Sequence, residues 1–281
     1  MQYNKLNHHA LKCMGFNQVL KMQQAVLIDL CSKLCKLKRD MGYYILNEQK
    51  TMTVSSIEEK GRNNYVTHVD KQVDRMLADS LRKLLPQAGI ITEESGSTGE
   101  EKEYYWVVDP IDGTSNYIRN SGPFCISTAL VRNEKPILGV VYELTRNELF
   151  YAWEGSKAYL NGMEISCSAN RSLTNAMVGF GFSYDSKLIR KFAPLVLKLS
   201  ETTTTRCQGS AAAEICYVAK GGYEAYIHND LKIWDYAAAG LILKQAGGGI
   251  CTMKGSPDYF GKRDIIAYNH LDTQAALLSV V

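Results

Sequence analysis

Apolar residues recur along the chain with two different periods, and the switches between them divide it into elements. Leu20, Leu27, Leu30, Leu34 and Leu37 share one face at helical spacing, which predicts an amphipathic helix over about residues 17–38, with a second over 41–55. After the turn-like KGRNN segment, Val73, Met76, Leu77, Leu81, Leu84 and Leu85 mark a long helix that stops before Pro86. Short apolar runs bounded by turns come next, and GIITEES, YYWVVD, CISTALV, PILGVVYE and ELFYAWE read as strands, with WEGSKAYLNGMEI as a hairpin.

Beyond residue 170 the two periods alternate. AMVGFGF reads as a strand, 186–200 as a helix, TTTTRCQ as a strand or its edge, and SAAAEICYVAKGG as a helix closed by glycine. YEAYIH is a strand, WDYAAAGLILKQAGGG a helix with glycine at its carboxyl end, and IIAYN a last strand before a terminal helix. The expectation is an α/β protein with two sheets interleaved with helical layers. At 281 residues it forms a single unit, 1–281, or two closely packed lobes, 1–165 and 166–281.

Charge narrows the function classes. With 32 basic and 29 acidic residues the net charge is +3, too balanced for a nucleic-acid surface or a polybasic membrane anchor. The densest basic cluster, KLCKLKRD, reads as the solvated face of a helix. The amino terminus lacks the basic-then-apolar order of a signal peptide, and no apolar run approaches the roughly 18 residues that span a bilayer, so residence is expected to be cytoplasmic. Eight cysteines without CxxC spacing argue against a zinc ribbon or a disulfide framework, and Cys31 and Cys35, one helical turn apart, read as core thiols.

The chemistry gathers in YYWVVDPIDGTSNYI, where an apolar strand is expected to end at Asp109 because Pro110 cannot donate to a ladder. Asp109 and Asp112 then repel unless a cation lies between them or one is protonated. Hard divalent ions such as magnesium favour such oxygens, although Asp112-Gly113 also suits a plain turn. Gly113 permits close backbone approach, and its amide and that of Thr114 suit an anion. Glu93 and Glu94 follow another short apolar strand in GIITEESG. Asp235 opens the helix in KIWDYAAAG, where an N-cap is its simplest role. Asp70 sits in a TxxD pattern that is also a capping box with Thr67.

Taken together, VTHVD, ITEES, VVDPIDGTSNY, GSAAAEICYVAKGG and IWDYAAAGLILKQAGG resemble, in order and approximate spacing, the inositol monophosphatase family of magnesium-dependent, lithium-sensitive sugar and polyol phosphatases. Haloacid-dehalogenase phosphatases also end a strand with aspartates before Gly-Thr, but their two aspartates are two positions apart, and here the spacing is three.

The resemblance implies an αβαβα sandwich of the inositol monophosphatase and fructose bisphosphatase type, a homodimer, and two or three magnesium ions. Glu93, Asp109 and the Ile111 carbonyl would hold the first ion; Asp109 would bridge to a second held by Asp112 and Asp235. A third would lean on Glu93, with Glu94 and Asp70 nearby. Thr114 with Glu93 or Asp70 would orient the attacking water, and Lys60 would help neutralise the carboxylates. A small phosphorylated metabolite would be gripped by Asp112, Gly113, Thr114, Gly209, Ser210, Ala211 and Asp235. His228 departs from the family, whose inositol-specific members carry an acid there; as a further substrate contact it would bond a hydroxyl or, as a cation, favour a second phosphate. The implied activity is phosphomonoester hydrolysis on inositol phosphate or a related sugar phosphate, or on fructose bisphosphate, NADP, histidinol phosphate or 3'-phosphoadenosine 5'-phosphate. A binding or regulatory protein that keeps the fold without catalysis is the reading of another class.

Overall fold

The computed structural model describes residues 16–51, 57–61, 64–98 and 102–281. Its first element is one helix, α1 (Phe16–Thr51), where two were expected. The expected break near residue 40 does not occur because Gly42 serves packing instead: a Cβ there would lie 2.5 Å from the Tyr142 ring, so glycine lets the helix close on the sheet. Residues 52–55 of the expected second helix, and His8 and His9, lie outside the described residues.

A two-stranded hairpin, β1 (Ile57–Gly61) and β2 (Asn64–Thr67), flanks the predicted turn and leads into α2 (His68–Leu84). That helix opens on a capping box between Thr67 and Asp70 and stops just before Pro86. The larger sheet has eight strands in the order β10-β9-β8-β7-β6-β5-β3-β4. These are β3 (Gly89–Thr92), β4 (Gly96–Thr98), β5 (Tyr104–Asp112), β6 (Cys125–Arg132), β7 (Lys135–Glu143), β8 (Glu148–Trp153), β9 (Ala158–Leu160) and β10 (Met163–Ile165). Between β5 and β6 lies the single turn of helix α3 (Thr114–Ile118).

The second sheet has five strands, β12-β11-β13-β15-β14: β11 (Met177–Gly181), β12 (Thr204–Arg206), β13 (Ala225–His228), β14 (Gly249–Thr252) and β15 (Ile265–Tyr268). Four helices complete the fold: α4 (Ser186–Ser200), α5 (Ala211–Ala219), α6 (Ile233–Gln245) and α7 (Leu271–Leu278). No helix among the described residues is long and apolar enough to cross a membrane, and every described cysteine is a free thiol.

Three apolar clusters set the layer order. Residues of α1 and α2 such as Leu34, Val73 and Leu77 pack with Trp106 and Val108 on one face of the large sheet. Val107, Ala129 and Val141 on the other face meet Ala212, Ala237 and Ala238 of α5 and α6. Phe180 and Ile227 of the small sheet meet Phe192, Leu195 and Leu277 of α4 and α7. The αβαβα order expected from the resemblance follows, and both faces of β5 are buried, which explains why it reads as an uninterrupted apolar run.

The small residues of α6 matter to the position of the helix. A Cβ on Gly139 of β7 would lie 2.7 Å from the Ala238 carbonyl oxygen and 3.0 Å from its Cα, both backbone atoms that cannot turn aside. Gly139→Ala therefore has to lift α6 off the sheet, at a cost of about 1–3 kcal/mol for overpacking. We expect its melting temperature to fall by roughly 5 °C in a thermal denaturation scan; an unchanged melting temperature would show that the helix accommodates the methyl group freely.

Candidate active site

Because β3 and β5 run parallel, with Thr92 aligned to Val108, their carboxyl ends open side by side and carry Glu93 next to Asp109. The Glu93 amide donates to the Val108 carbonyl at 3.1 Å, which fixes that juxtaposition. The strand does not end at Pro110 as expected. It continues to Asp112 through an irregularity in which Asp109 pairs with Ser127 and Asp112 with Cys125, so β5 spends one residue more than β6. Proline is tolerated at such a bulge because no ladder bond is required of it.

That extra residue answers the question raised by a spacing of three. In a regular strand, residues three apart point to opposite faces. The bulge resets the alternation, and both carboxylates reach the α6 side of the sheet. Asp235 comes from the first turn of α6, and the three carboxylates bring oxygens within 4.8 Å of one another. Asp235 is the third residue of its helix rather than the N-cap, and reaches back to accept from the Lys232 amide at 2.6 Å.

The electrostatics of this cluster are those of a site short of positive charge. Burial first, then Glu93, Asp112 and Asp235, pushes the Asp109 carboxyl well above its ordinary range. Asp112 is pushed up by burial, and Asp235 well up by burial and by Asp112. Asp109 is almost fully buried, and its Oδ1 has no hydrogen-bond partner among the described residues. An acceptor-only oxygen in such a place is costly unless a cation meets it. The donor set, all oxygen and mostly carboxylate, fits a hard divalent ion of the magnesium kind.

Asp112 is aimed by the start of α5. Its Oδ2 accepts from the Ser210 hydroxyl at 2.7 Å and the Ala212 amide at 2.8 Å, which leaves Oδ1 for the cavity. Ser210 is thus fully buried and turned to Asp112, whereas Gly209 and Ala211 line the cavity. Gly113, at φ +93°, sits where a Cβ would lie 3.0 Å from the Pro123 carbonyl oxygen and 3.1 Å from that of Gly209. Only glycine lets the two turns close on each other there.

Asp70 has both of the roles left open by its sequence context. Its Oδ2 accepts from the Thr67 amide at 2.9 Å in the capping box, while Oδ1 lies 3.1 Å from the Thr114 hydroxyl. That hydroxyl is also 3.0 Å from the Ile111 carbonyl oxygen, so one proton has two acceptors. Burial raises the Asp70 carboxyl to about 6, with Glu94 adding to the rise. The Lys60 side chain lies outside the described residues.

A cavity of about 650 Å³ opens over the cluster, lined on the far side by Ser183, Tyr184, His228, Asp230 and Arg263. His228 is buried, and burial lowers its imidazole to about 4, so it is neutral near pH 7. Its Nδ1 accepts from the Asp230 amide at 3.0 Å, which assigns the proton to Nε2 and makes His228 a donor in place of the acceptor that the resemblance expects. Arg263 is paired with Asp230.

Glu214, Tyr184, Asp230 and Arg263 are not singled out by the sequence, although the first three fall in the segments 182–190 and 206–230 expected to decide among the esters. The signal for Glu214 was present: one acid within the apolar helix SAAAEICYVA. It is fully buried, and its Oε2 accepts from the Gln208 and Gly209 amides at 3.1 and 3.2 Å, holding the turn that faces the cavity.

The chain is similar to known proteins over most of its length. The Nus factor SuhB of Escherichia coli K12 is 35% identical over 245 residues, covering 86% of this chain and 92% of its own. The fructose-1,6-bisphosphatase/inositol-1-monophosphatase of Aquifex aeolicus is 38% identical over 216 residues, 76% of this chain and 81% of its own. Among solved structures, the inositol monophosphatase of Thermotoga maritima superposes with a TM-score of 0.82 at 31% identity, covering 90% and 96% of the two chains. An inositol monophosphatase/NADP phosphatase complexed with Mg2+ and phosphate superposes at 0.79 and 25% identity, covering 90% and 95%. The inositol monophosphatase family profile matches residues 29–281, and the chain belongs to that family.

Proposed function

We propose that the protein is a magnesium-dependent phosphomonoesterase that hydrolyses inositol monophosphate or a related small sugar or polyol phosphate. The observation that carries this reading is the convergence of Glu93, Asp109, Asp112 and Asp235 around a buried carboxylate oxygen that no donor among the described residues satisfies. A related phosphatase that was crystallised with Mg2+ and phosphate supports it.

Glu93, Asp109, Asp112, Asp235 and the Ile111 carbonyl would hold two or three divalent ions. Such ions, when bound, supply Lewis acidity that activates water and offsets charge on the phosphoryl group. The chain's own residues do the positioning. With its proton directed to Asp70, the Thr114 oxygen turns a lone pair to the cavity, accepts a hydrogen bond from the incoming water and aligns it for in-line attack on phosphorus. The amides of Gly113 and Thr114 hold phosphate oxygens as charge shifts to the leaving oxygen. Glu214 fixes Gly209 so that the turn before α5 meets the leaving group, and His228 offers a donor Nε2–H to a substrate hydroxyl.

A regulatory role is the second reading, favoured by the relatives named Nus factors. Completeness of the acidic set supports catalysis, because buried carboxylates without their ions destabilise a fold that serves only as a scaffold.

In a phosphate-release assay across inositol, sugar and nucleotide phosphates, turnover is expected with magnesium and none with chelator. Asp109→Asn should lower kcat by at least about a thousandfold, as removal of a central electrostatic group does; a variant as active as the wild type, with unchanged magnesium dependence, would refute the reading. His228→Glu restores an acceptor and should raise inositol phosphate turnover relative to other esters, and an unaltered substrate ratio would remove His228 from the specificity determinants. Burial pushes the Glu214 carboxyl from 4.5 up to about 8, so its protonated form favours the fold and that contribution is lost as pH rises through this window. Glu214→Gln keeps the acceptor for the two amides and removes the titration. Its melting temperature should therefore gain on the wild type between pH 5 and 9, and parallel curves would show that Glu214 does not titrate there.

A further inference from the structure

The buried face of α1 holds a charge that the site chemistry leaves unused. Leu27, Leu30, Leu34, Met41 and Ile45 line that face, and Lys38 stands among them with no exposure to solvent. Within KLCKLKRD, expected to be a solvated face, Lys33, Lys36 and Arg39 are exposed, whereas Lys38 turns inward. Its ammonium donates to the Thr128 hydroxyl, and among the described residues it has no second hydrogen-bond partner. An ammonium carries three protons, so this burial is expensive and calls for a compensating interaction.

Strand register supplies the location. Thr128 on β6 pairs with Val108 on β5, one residue before Asp109. Val108 belongs to the cluster packed on α1, whereas Asp109 and Ser127 point to the α6 side, where Ser127 donates to the Trp234 carbonyl at 3.1 Å. The ammonium therefore sits directly behind the sheet at the level of the carboxylate cluster. Burial lowers its proton affinity to about 7, with the nearby Cys125 and Asp109 opposing the fall.

We propose that Lys38 is a resident counter-cation of the carboxylate cluster, a positive charge behind β5 that partly offsets Asp109 in the ion-free protein and loosens the hold of the cluster on divalent ions. It rests on the reading of that cluster as a metal site. The attraction acts through dry protein, where a unit charge is felt far more strongly than in water.

Lys38→Met keeps the length and apolar stem and removes the charge. Magnesium binding by titration calorimetry, together with melting temperatures in chelator and in saturating magnesium, compares it with the wild type. The expected result is about tenfold tighter magnesium binding and a larger rise in melting temperature on adding magnesium. The same binding constant and the same rise in both proteins would reduce Lys38 to a core lysine and overturn the proposal. Should Lys38→Met fail to fold, Lys38→Gln carries the same comparison with the same two outcomes. A wild type that shows neither heat nor a melting shift with magnesium overturns the metal reading and this proposal with it, whereas identical responses overturn only the role of Lys38.

Discussion

Repulsion among carboxylates that the fold refuses to separate is the constraint on which the rest of the structure depends. Asp109, Asp112 and Asp235 come from two elements more than a hundred residues apart in sequence, yet their oxygens lie within 4.8 Å of one another. Nothing local requires this. It follows from a parallel strand pair whose carboxyl ends open together, a bulge that turns Asp112 to the side of Asp109, and a helix of small residues pressed against the sheet. Each of these features costs packing freedom, and together they create a demand for positive charge that Lys232 answers in part beside Asp235.

The same constraint explains how the supporting residues divide. Asp112 is held through one oxygen by Ser210 and the start of α5, so the other oxygen is left to the cavity. Asp70 is held by its capping box through one oxygen and reaches Thr114 with the other. In both cases a carboxylate is oriented by backbone or hydroxyl donors on one side and presented on the other, which is how a rigid outer layer positions groups that must act together. Cap and functional residue are therefore not alternatives at Asp70; the cap is what aims it.

Most of the layer order was legible in the sequence because period and burial are linked in long elements. The runs in α2, β5, β6 and β7 were continuous enough for hydrophobic spacing to name them. What escaped depends on contacts between distant segments. The continuity of α1 past residue 40 depends on Gly42 meeting Tyr142, which no local pattern records. The extension of β5 beyond Pro110 depends on a bulge opposite Cys125 and Ser127. Lys38 was misread for the same reason: a lysine among leucines at helical spacing resembles a solvated neighbour until Thr128 is found above it. The acidic cluster was legible because DPIDGT and WDYAAAG are specific as a pair, while Glu214 was not, since one acid in an apolar helix has no spacing partner.

The cavity's far wall shows why catalysis is easier to read than specificity. The reacting side must satisfy charge, and charge leaves carboxylates in the sequence at recognisable spacing. The far side must only match shape and hydrogen-bond polarity, and it does so with residues whose roles depend on their neighbours. His228 is a neutral donor because burial strips its charge and the Asp230 amide takes Nδ1. Its ring in turn packs where Gly181 has no side chain, since a Cβ there would collide with the imidazole and with the Tyr226 hydroxyl. Arg263 stands at the same wall but is paired with Asp230, which leaves the wall nearly neutral in sum. A neutral donor beside a compensated ion pair offers hydrogen-bond polarity rather than net charge, and such polarity is set by burial and by neighbours distant in sequence, which no local spacing records.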